Sequence, residues 1–486
     1  MIRDLSRLTA RDFDLLVVGG GIYGLTIAYD AAQRGLSVAL VERSDFGGAT
    51  SFNHLKTIHG GLRYLQSADF SRMRESIRER RTFARIAPRF VAPLPFVMAT
   101  SPTLTRNPIA MRAAFALDAL IGSDRNEGLD PALCLPAGRI VSGSEARELM
   151  KGTVQSPTSS CAVWHDYQTV QGDRLTLAFA LAAANHGAAL ANYVEAVEPR
   201  RDGGKGVVGV MARDVLTGSD FRINARVVVN AAGPWGSTLL AKMGVPGRWP
   251  LLKAMNLVTS RPARKTAVVA ATRTGRALVL LPWQGRTLVG TSESSDERQP
   301  DDQEAHRSEM LAFLADVNDT FAALHLQPEE VTLVHRGIVP AADTGGRLSL
   351  LPHSRIVDHL ADGMNGLVSV VGVKYTTARA TAERAVDLVL EKLRKPPVPS
   401  RTATMILPGA AIADRDPAEP ITHAIREEMA STLTDVVVRR TGVGAAGHPG
   451  NVVANQYAAA MQQELGWSEE RRNKELQALA RFYHIL

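Results

Sequence analysis

The chain has 486 residues, 45% hydrophobic and 22% charged, with neither Gly nor Pro in excess. This is ordinary globular composition, enough for a large core, and it excludes a disordered or fibrous chain. The formal net charge of +7 favours acidic partners such as an anionic substrate or lipid. No nucleic-acid-binding motif or basic–aromatic interleaving accompanies it, so no nucleic acid is expected. Cys134 and Cys161 form no CxxC or Cys/His spacing, which predicts reduced thiols and no metal site. Residues 1–14 are charged and lack an apolar signal core, and no stretch approaches the ~20 apolar residues of a membrane span. The expected location is cytoplasmic, or peripheral on the inner face of the membrane.

In chain order, residues 14–18 (DLLVV) are apolar, run straight into glycines and predict a short buried strand. Residues 22–34 carry Ile22, Leu25, Ala28 and Ala32 at helical spacing and end at Gly35; 37–41 is a second apolar strand. Residues 72–89 are helical in period and hold seven Arg, with Pro88, Pro93 and Pro95 breaking the pattern. Helices are predicted at 109–121, at 175–186 closed by Gly187, and at 376–393. Strands are predicted at 226–231 and 367–371, and as a pair, 278–281 and 287–289, around Gln284-Gly285. The Pro-rich stretch 395–400 reads as a semi-rigid linker before a mostly helical C-terminal piece.

Gly19-Gly20-Gly21-Ile22-Tyr23-Gly24 fits G-x-G-x-x-G between a predicted strand and a predicted helix, and Glu42 closes the next strand. That context is what a dinucleotide site requires. Gly19 allows the tight turn, Gly21 lets backbone approach a pyrophosphate at the helix N-terminus, and Gly24 lets helix pack on strand. Glu42 is suited to accept hydrogen bonds from ribose hydroxyls.

Residues 47–65 (GGATSFNHLKTIHGGLRYL) then narrow the choice of dinucleotide. Ala49-Thr50-Ser51 and the run from Lys56 to Leu65 closely resemble the FAD-dependent glycerol-3-phosphate dehydrogenases, of the DAO-type flavin oxidoreductase superfamily. Asp173-Arg174-Leu175, Asn230-Ala-Ala-Gly-Pro-Trp235, Leu281-Pro-Trp283, Gly290-Thr-Ser-Glu293, Gly372-Val-Lys-Tyr-Thr-Thr377 and Leu407-Pro-Gly-Ala-Ala411 follow that family's motifs in order. An NAD(P) reading is disfavoured, because no second G-x-G-x-x-G appears.

The resemblance implies an α/β fold: a Rossmann-like FAD-binding domain (1–90, 150–245 and 345–395) interleaved with a β-rich substrate domain (91–149 and 246–344), plus a helical C-terminal domain (401–486). It implies that Gly19, Gly21, Gly24, Glu42, Arg43, Thr50 and Ser51 hold the ADP half of FAD, with Val194, Ala232 and Gly233 close by. His59, Gly60, Gly61, Gly372, Lys374, Tyr375 and Thr376 would surround the flavin ring. The implied reaction moves a hydride from an alcohol (or amine) carbon of a small molecule to flavin. Arg63 would orient the substrate oxygen, Lys374 would stabilise developing charge, and His59 is a candidate base.

The chain departs from the family on the substrate side. The phosphate-gripping arginine of a G-V-R-P segment is Val339 here, and a substrate-side histidine is Asn256. A second family arginine falls near His353, where Arg347 or Arg355 could substitute. Valine cannot imitate the bidentate guanidinium fork, so the expected substrate is a different hydroxylated or amino compound. The alternative is glycerol 3-phosphate itself, oxidised to dihydroxyacetone phosphate. His54 stands where the family has small residues, and in the wider superfamily a nearby histidine can carry FAD covalently; here it is expected to pack. Quinone and oxygen are the candidate electron acceptors, and peripheral membrane contact and a homodimer are the candidate associations.

Overall fold

The computed structural model describes residues 1–153, 159–203, 206–416 and 418–486. Phe13–Val18 runs parallel between Val38–Val41 and Asp220–Asn230, with Leu367–Val371 parallel beyond the latter and Ala189–Ala191 beyond the former. Arg355–Asp358 pairs antiparallel at one edge. Leu15, Leu16 and Val17 are all fully buried. Both faces of the sheet are covered, which is why its strands read as unbroken apolar runs. Helices Ile22–Gln33, Gly172–Asn185 and Ala378–Lys392 build the core on one face. Leu8, Val210, Ile223, Leu239 and Leu240 close the other.

A second sheet of ten strands runs, in order, Leu348–Leu350, Val331–Asp343, Leu251–Pro262, Arg286–Glu293, Ala277–Trp283, Ala267–Ala271, Val91–Ala99, Ser160–Thr169 and Thr57–Ile58, with Arg139–Ser142 paired to Ser160–Thr169. The expected hairpin is present: Trp283 pairs with Arg286 across Gln284 (φ 45°) and Gly285 (φ 76°), two left-handed residues that suit a tight two-residue connection.

Sheet membership differs from the expected boundaries in three places. Thr57–Ile58, Ser160–Thr169 and Leu348–Leu350 fall in segments expected with the FAD-binding part, yet pair in the ten-stranded sheet. Thr57–Ile58 finds its partner more than a hundred residues away, at Tyr167–Gln168, and Leu348–Leu350 simply folds back on Ala341–Asp343 as a hairpin; local pattern does not encode such partner choice. The basic helix is Phe70–Ile86, and it stops before Pro88. Pro93 and Pro95 lie in the strand Val91–Ala99, whose second neighbour joins only at Phe96–Met98. The stretch 395–400 is anchored at both ends: Lys395 pairs with Asp14 at 2.8 Å, and the Ser400 hydroxyl donates to Asp30. The C-terminal helices Pro420–Glu428, Asn451–Leu465 and Glu469–Tyr483 pack through Ala424, Met461 and Leu479, with Leu433 and Val436 between the first two helices, onto Trp283, Leu288 and Leu333 of the second sheet.

Candidate functional site

Val18, Asn230 and Val371 end three adjacent parallel strands, and each opens at once into a turn that borders one cavity of about 700 Å³. This is where ligands sit in open α/β sheets. At one end lie Gly19, Gly21, Glu42, Arg43, Thr50, Ser51, Val194, Ala232 and Gly233. Gly19 has φ 109°, and a Cβ there would lie 2.5 Å from the Ala231 carbonyl oxygen. Gly24 does not reach the cavity; a Cβ on it would lie 1.8 Å from the Gly19 oxygen, so it sets how closely the helix meets the strand. Ser51 Oγ accepts from the Ile22 N–H at 2.9 Å, in the first turn of the helix. Glu42 accepts from the backbone N–H groups of Gly20 (2.6 Å) and Ser44 (2.8 Å), which fixes its carboxylate beside the glycine turn. Arg43 lies over the Trp235 ring, 3.8 Å from its centroid. The glycine-lined approach, the helix N-terminus and the acidic side chain on the next strand fit the ADP half of FAD.

The other end holds His59, Gly61, Arg63, Asn256, Val339, Gly372, Lys374, Tyr375 and Thr376. Gly60 lies just behind. Its N–H donates to Asp166 Oδ1 at 2.7 Å, and that carboxylate is paired with Arg80 at 2.5 Å. The 372–377 turn is held by Tyr23, whose hydroxyl donates to the Lys374 carbonyl at 2.9 Å, and by a 2.9 Å hydrogen bond between the Tyr375 and Thr176 hydroxyls.

Electrostatics set His59, the candidate base, apart from Lys374. Burial, then the charges of Arg63 and Lys374, push His59 down to about 3, so its imidazole is neutral and weakly basic. Burial, then Arg72 and Arg63, lower Lys374 to about 7, where it exchanges a proton at neutral pH. Glu293 also lines the cavity; burial raises its pKa, while Arg63, Arg276 and Arg347 oppose the rise.

The remaining expectations divide. Asn256 is in place, but it donates to the Asn53 carbonyl (3.0 Å) and accepts from the Thr291 hydroxyl (2.8 Å). Val339 lies in an apolar patch with Leu252 and Ala341. His353 and Arg355 do not line the cavity: His353 pairs with Asp69 at 3.3 Å, and Arg355 is exposed on an edge strand. The loop that carries His353 follows Leu348–Leu350, which pairs with Val331–Asp343 in the second sheet. His54 stacks on Tyr375 (4.4 Å, 18°), with Nδ1 against the Ser51 carbonyl (2.8 Å) and Nε2 against Thr169 (3.3 Å), so both ring nitrogens face protein partners. Sequence reasoning passed over Arg276, Trp164 and Asp166, which all line the cavity. Arg276 belongs to no motif; Trp164 and Asp166 share a strand face, and the two-residue spacing was the available signal.

A family model described as FAD dependent oxidoreductase matches residues 14–388, and one described as C-terminal domain of alpha-glycerophosphate oxidase matches 400–472. The chain is 27% identical to a glycerol-3-phosphate dehydrogenase of Synechocystis sp., over 98% of this chain and 97% of that one. It is 31% identical to glycerol-3-phosphate dehydrogenase 2 of Mycobacterium bovis, over 83% and 67%. It is 32% identical to the mitochondrial glycerol-3-phosphate dehydrogenase of Mus musculus over 82% of this chain; there it spans only 55% of the relative. Among solved structures it shares the fold of the glycerol-3-phosphate dehydrogenase from Bacillus halodurans complexed with FAD, with a TM-score of 0.76 at 23% identity over 99% and 96% of the two chains.

Proposed function

Because the chain belongs to the FAD-dependent oxidoreductase family, we propose that it oxidises a CH–OH (or CH–NH) carbon of a small molecule other than glycerol 3-phosphate. The carrying observation is the apolar surround of Val339, where the resembling family has an arginine. A charge-assisted hydrogen bond contributes about 1.5–3 kcal/mol, so its loss weakens phosphate binding by roughly ten-fold or more. When bound, FAD supplies the acceptor for the hydride. Arg63 donates to the substrate oxygen and holds the reacting carbon in place. Lys374, neutral in part near pH 7, takes the hydroxyl proton. Arg63 stabilises the oxyanion as it forms. His59 stays neutral and forms part of the wall.

A second reading, glycerol 3-phosphate giving dihydroxyacetone phosphate, is favoured by Arg276, which lines the cavity, and by the names of the relatives. Anaerobic mixing separates the two. Rapid loss of flavin absorbance with glycerol 3-phosphate establishes the second reading. Silence there, with bleaching by a 2-hydroxy acid, another alcohol or an amine, establishes the first.

Peripheral membrane contact, with quinone as acceptor, has one supporting feature. The helix Pro108–Ile121 buries only Met111 and Phe115, and leaves Ile109 77% and Leu120 73% exposed beside Leu104 at 88%. The basic helix contributes less than its sequence suggested, because Arg74, Arg80 and Arg81, and Arg89 just beyond it, are held in ion pairs. Among the described residues no helix is long and apolar enough to cross a membrane. Co-sedimentation with anionic liposomes that is abolished by Ser at Leu104, Ile109 and Leu120 supports this contact; wild-type protein left in the supernatant removes it.

A further inference from the structure

The loop 42–51 carries much of the cofactor end of the cavity, from Glu42 to Ser51. It folds back on the glycine turn through Gly47 N–H to the Gly20 carbonyl, at 2.9 Å. One of its side chains faces the other way. Asp45 is 1% exposed and does not line the cavity. Its carboxylate accepts from Arg440 Nη1 (2.8 Å) and Nη2 (2.7 Å), from Arg439 Nε (2.6 Å) and from Asn192 Nδ2 (3.0 Å). Both arginines lie on the helical turn Asp435–Arg440 of the C-terminal piece.

The same turn reaches the second cofactor-facing segment. Asp435 takes Arg439 at 2.5 Å and accepts the Tyr193 hydroxyl at 2.8 Å. Next in chain, Val194 lines the cavity and donates its N–H to the Glu42 carbonyl at 2.7 Å. Glu428 is bridged to Arg174 at 2.6 Å. Asp45, Asp435 and Glu428 are therefore balanced by Arg439, Arg440 and Arg174 in a buried network, where removing one partner leaves a charge without compensation. The forked Arg440–Asp45 pair also fixes direction, which a single contact would not.

The geometry points to a specific role for the C-terminal piece: Arg439 and Arg440 are positioning residues for FAD. They act through Asp45 to hold loop 42–51 and segment 192–194 in the cofactor-retaining arrangement. Neither arginine lines the cavity, so neither is catalytic. The network should govern how tightly FAD is kept.

The test follows FAD release from diluted holoenzyme by flavin fluorescence, in wild type, Arg440→Met, Arg440→Lys and Arg34→Met, with melting temperatures alongside. Arg34→Met is the control, since it breaks another buried pair, Arg34–Asp30 at 2.7 Å, at the far end of helix Ile22–Gln33. Arg440→Met should raise the FAD dissociation constant about ten-fold or more, Arg440→Lys should recover part of that, and Arg34→Met should stay within about two-fold despite a lower melting temperature. The inference is overturned if Arg440→Met binds FAD like wild type, or if Arg34→Met loosens FAD equally, because the effect is then general stability. If Arg440→Met does not fold, Asp45→Asn and Arg440→Lys are held to the same comparison with Arg34→Met. No substrate is needed, so the result is independent of the substrate reading.

Discussion

The Lys374 ammonium lies 4.4 Å from the centroid of the Tyr64 ring, and the Arg72 guanidinium lies 4.2 Å from the same centroid. Arg63 is third in this group, at 5.5 Å. A lysine among arginines in a half-closed cavity is easier to deprotonate than one in water, and that sets how the site should respond to pH.

Flavin reduction by substrate should speed up as pH rises through about 7, the value to which burial and then Arg72 lower Lys374, because its neutral form takes the proton. Lys374→Met should slow the reaction and remove this limb of the profile. In the linkage, the folded pKa lies below the unfolded value of ~10.4. Between the two the unfolded chain binds more protons, so through this group stability rises with pH across that window. Stopped-flow reduction from pH 6 to 9 measures the first effect; a rate that falls over the range excludes Lys374 as base.

Arg63→Lys keeps the charge and loses the fork. Reduction at saturating substrate should fall by roughly 10²–10³, the range for removing one oxyanion donor. FAD content should be unchanged. A variant that changes only KM would make Arg63 a binding group and not a participant in the chemical step.

Gly24→Ala should give protein without yellow colour. The added methyl would sit 1.8 Å from the Gly19 oxygen, and relieving that contact moves the helix N-terminus off the glycine turn. Overpacking of this kind typically costs about 1–3 kcal/mol. Flavin absorbance per mole of protein and the melting temperature should both fall.

Val339→Arg tests the specificity reading. Val339 is 5% exposed and packed among Leu252 and Ala341, so the variant should lose about 1–3 kcal/mol of stability. It should also lower the KM for glycerol 3-phosphate by about ten-fold, as one charge-assisted contact would. An unchanged KM would place the phosphate elsewhere, with Arg276 the first residue to mutate.

The cofactor end was legible because its requirements are local. A strand, three glycines, a helix and Glu42 lie within thirty residues, and each serves through backbone or immediate neighbours. The substrate end was legible only in part. Arg63, Asn256, Val339 and Lys374 could be aligned to motifs, and all four line the cavity. Arg276 and Asp166 reach it only because Ala277–Trp283 and Ser160–Thr169 join one sheet, and nothing in either segment announces its partner. His353 was misplaced because it sits in the loop after Leu348–Leu350, where it meets Asp69, a residue distant in sequence. The seven arginines of 72–89 looked like a free basic surface, because the acids that neutralise most of them, Asp124, Asp166 and Asp416, are distant in sequence.

Asp45 and Arg440 are 395 residues apart. During synthesis the guanidinium that closes the glycine turn and its loop therefore arrives long after they have left the ribosome. Until then the carboxylate has no arginine beside it. A nascent chain can therefore form this βαβ unit long before it completes the surroundings of that unit.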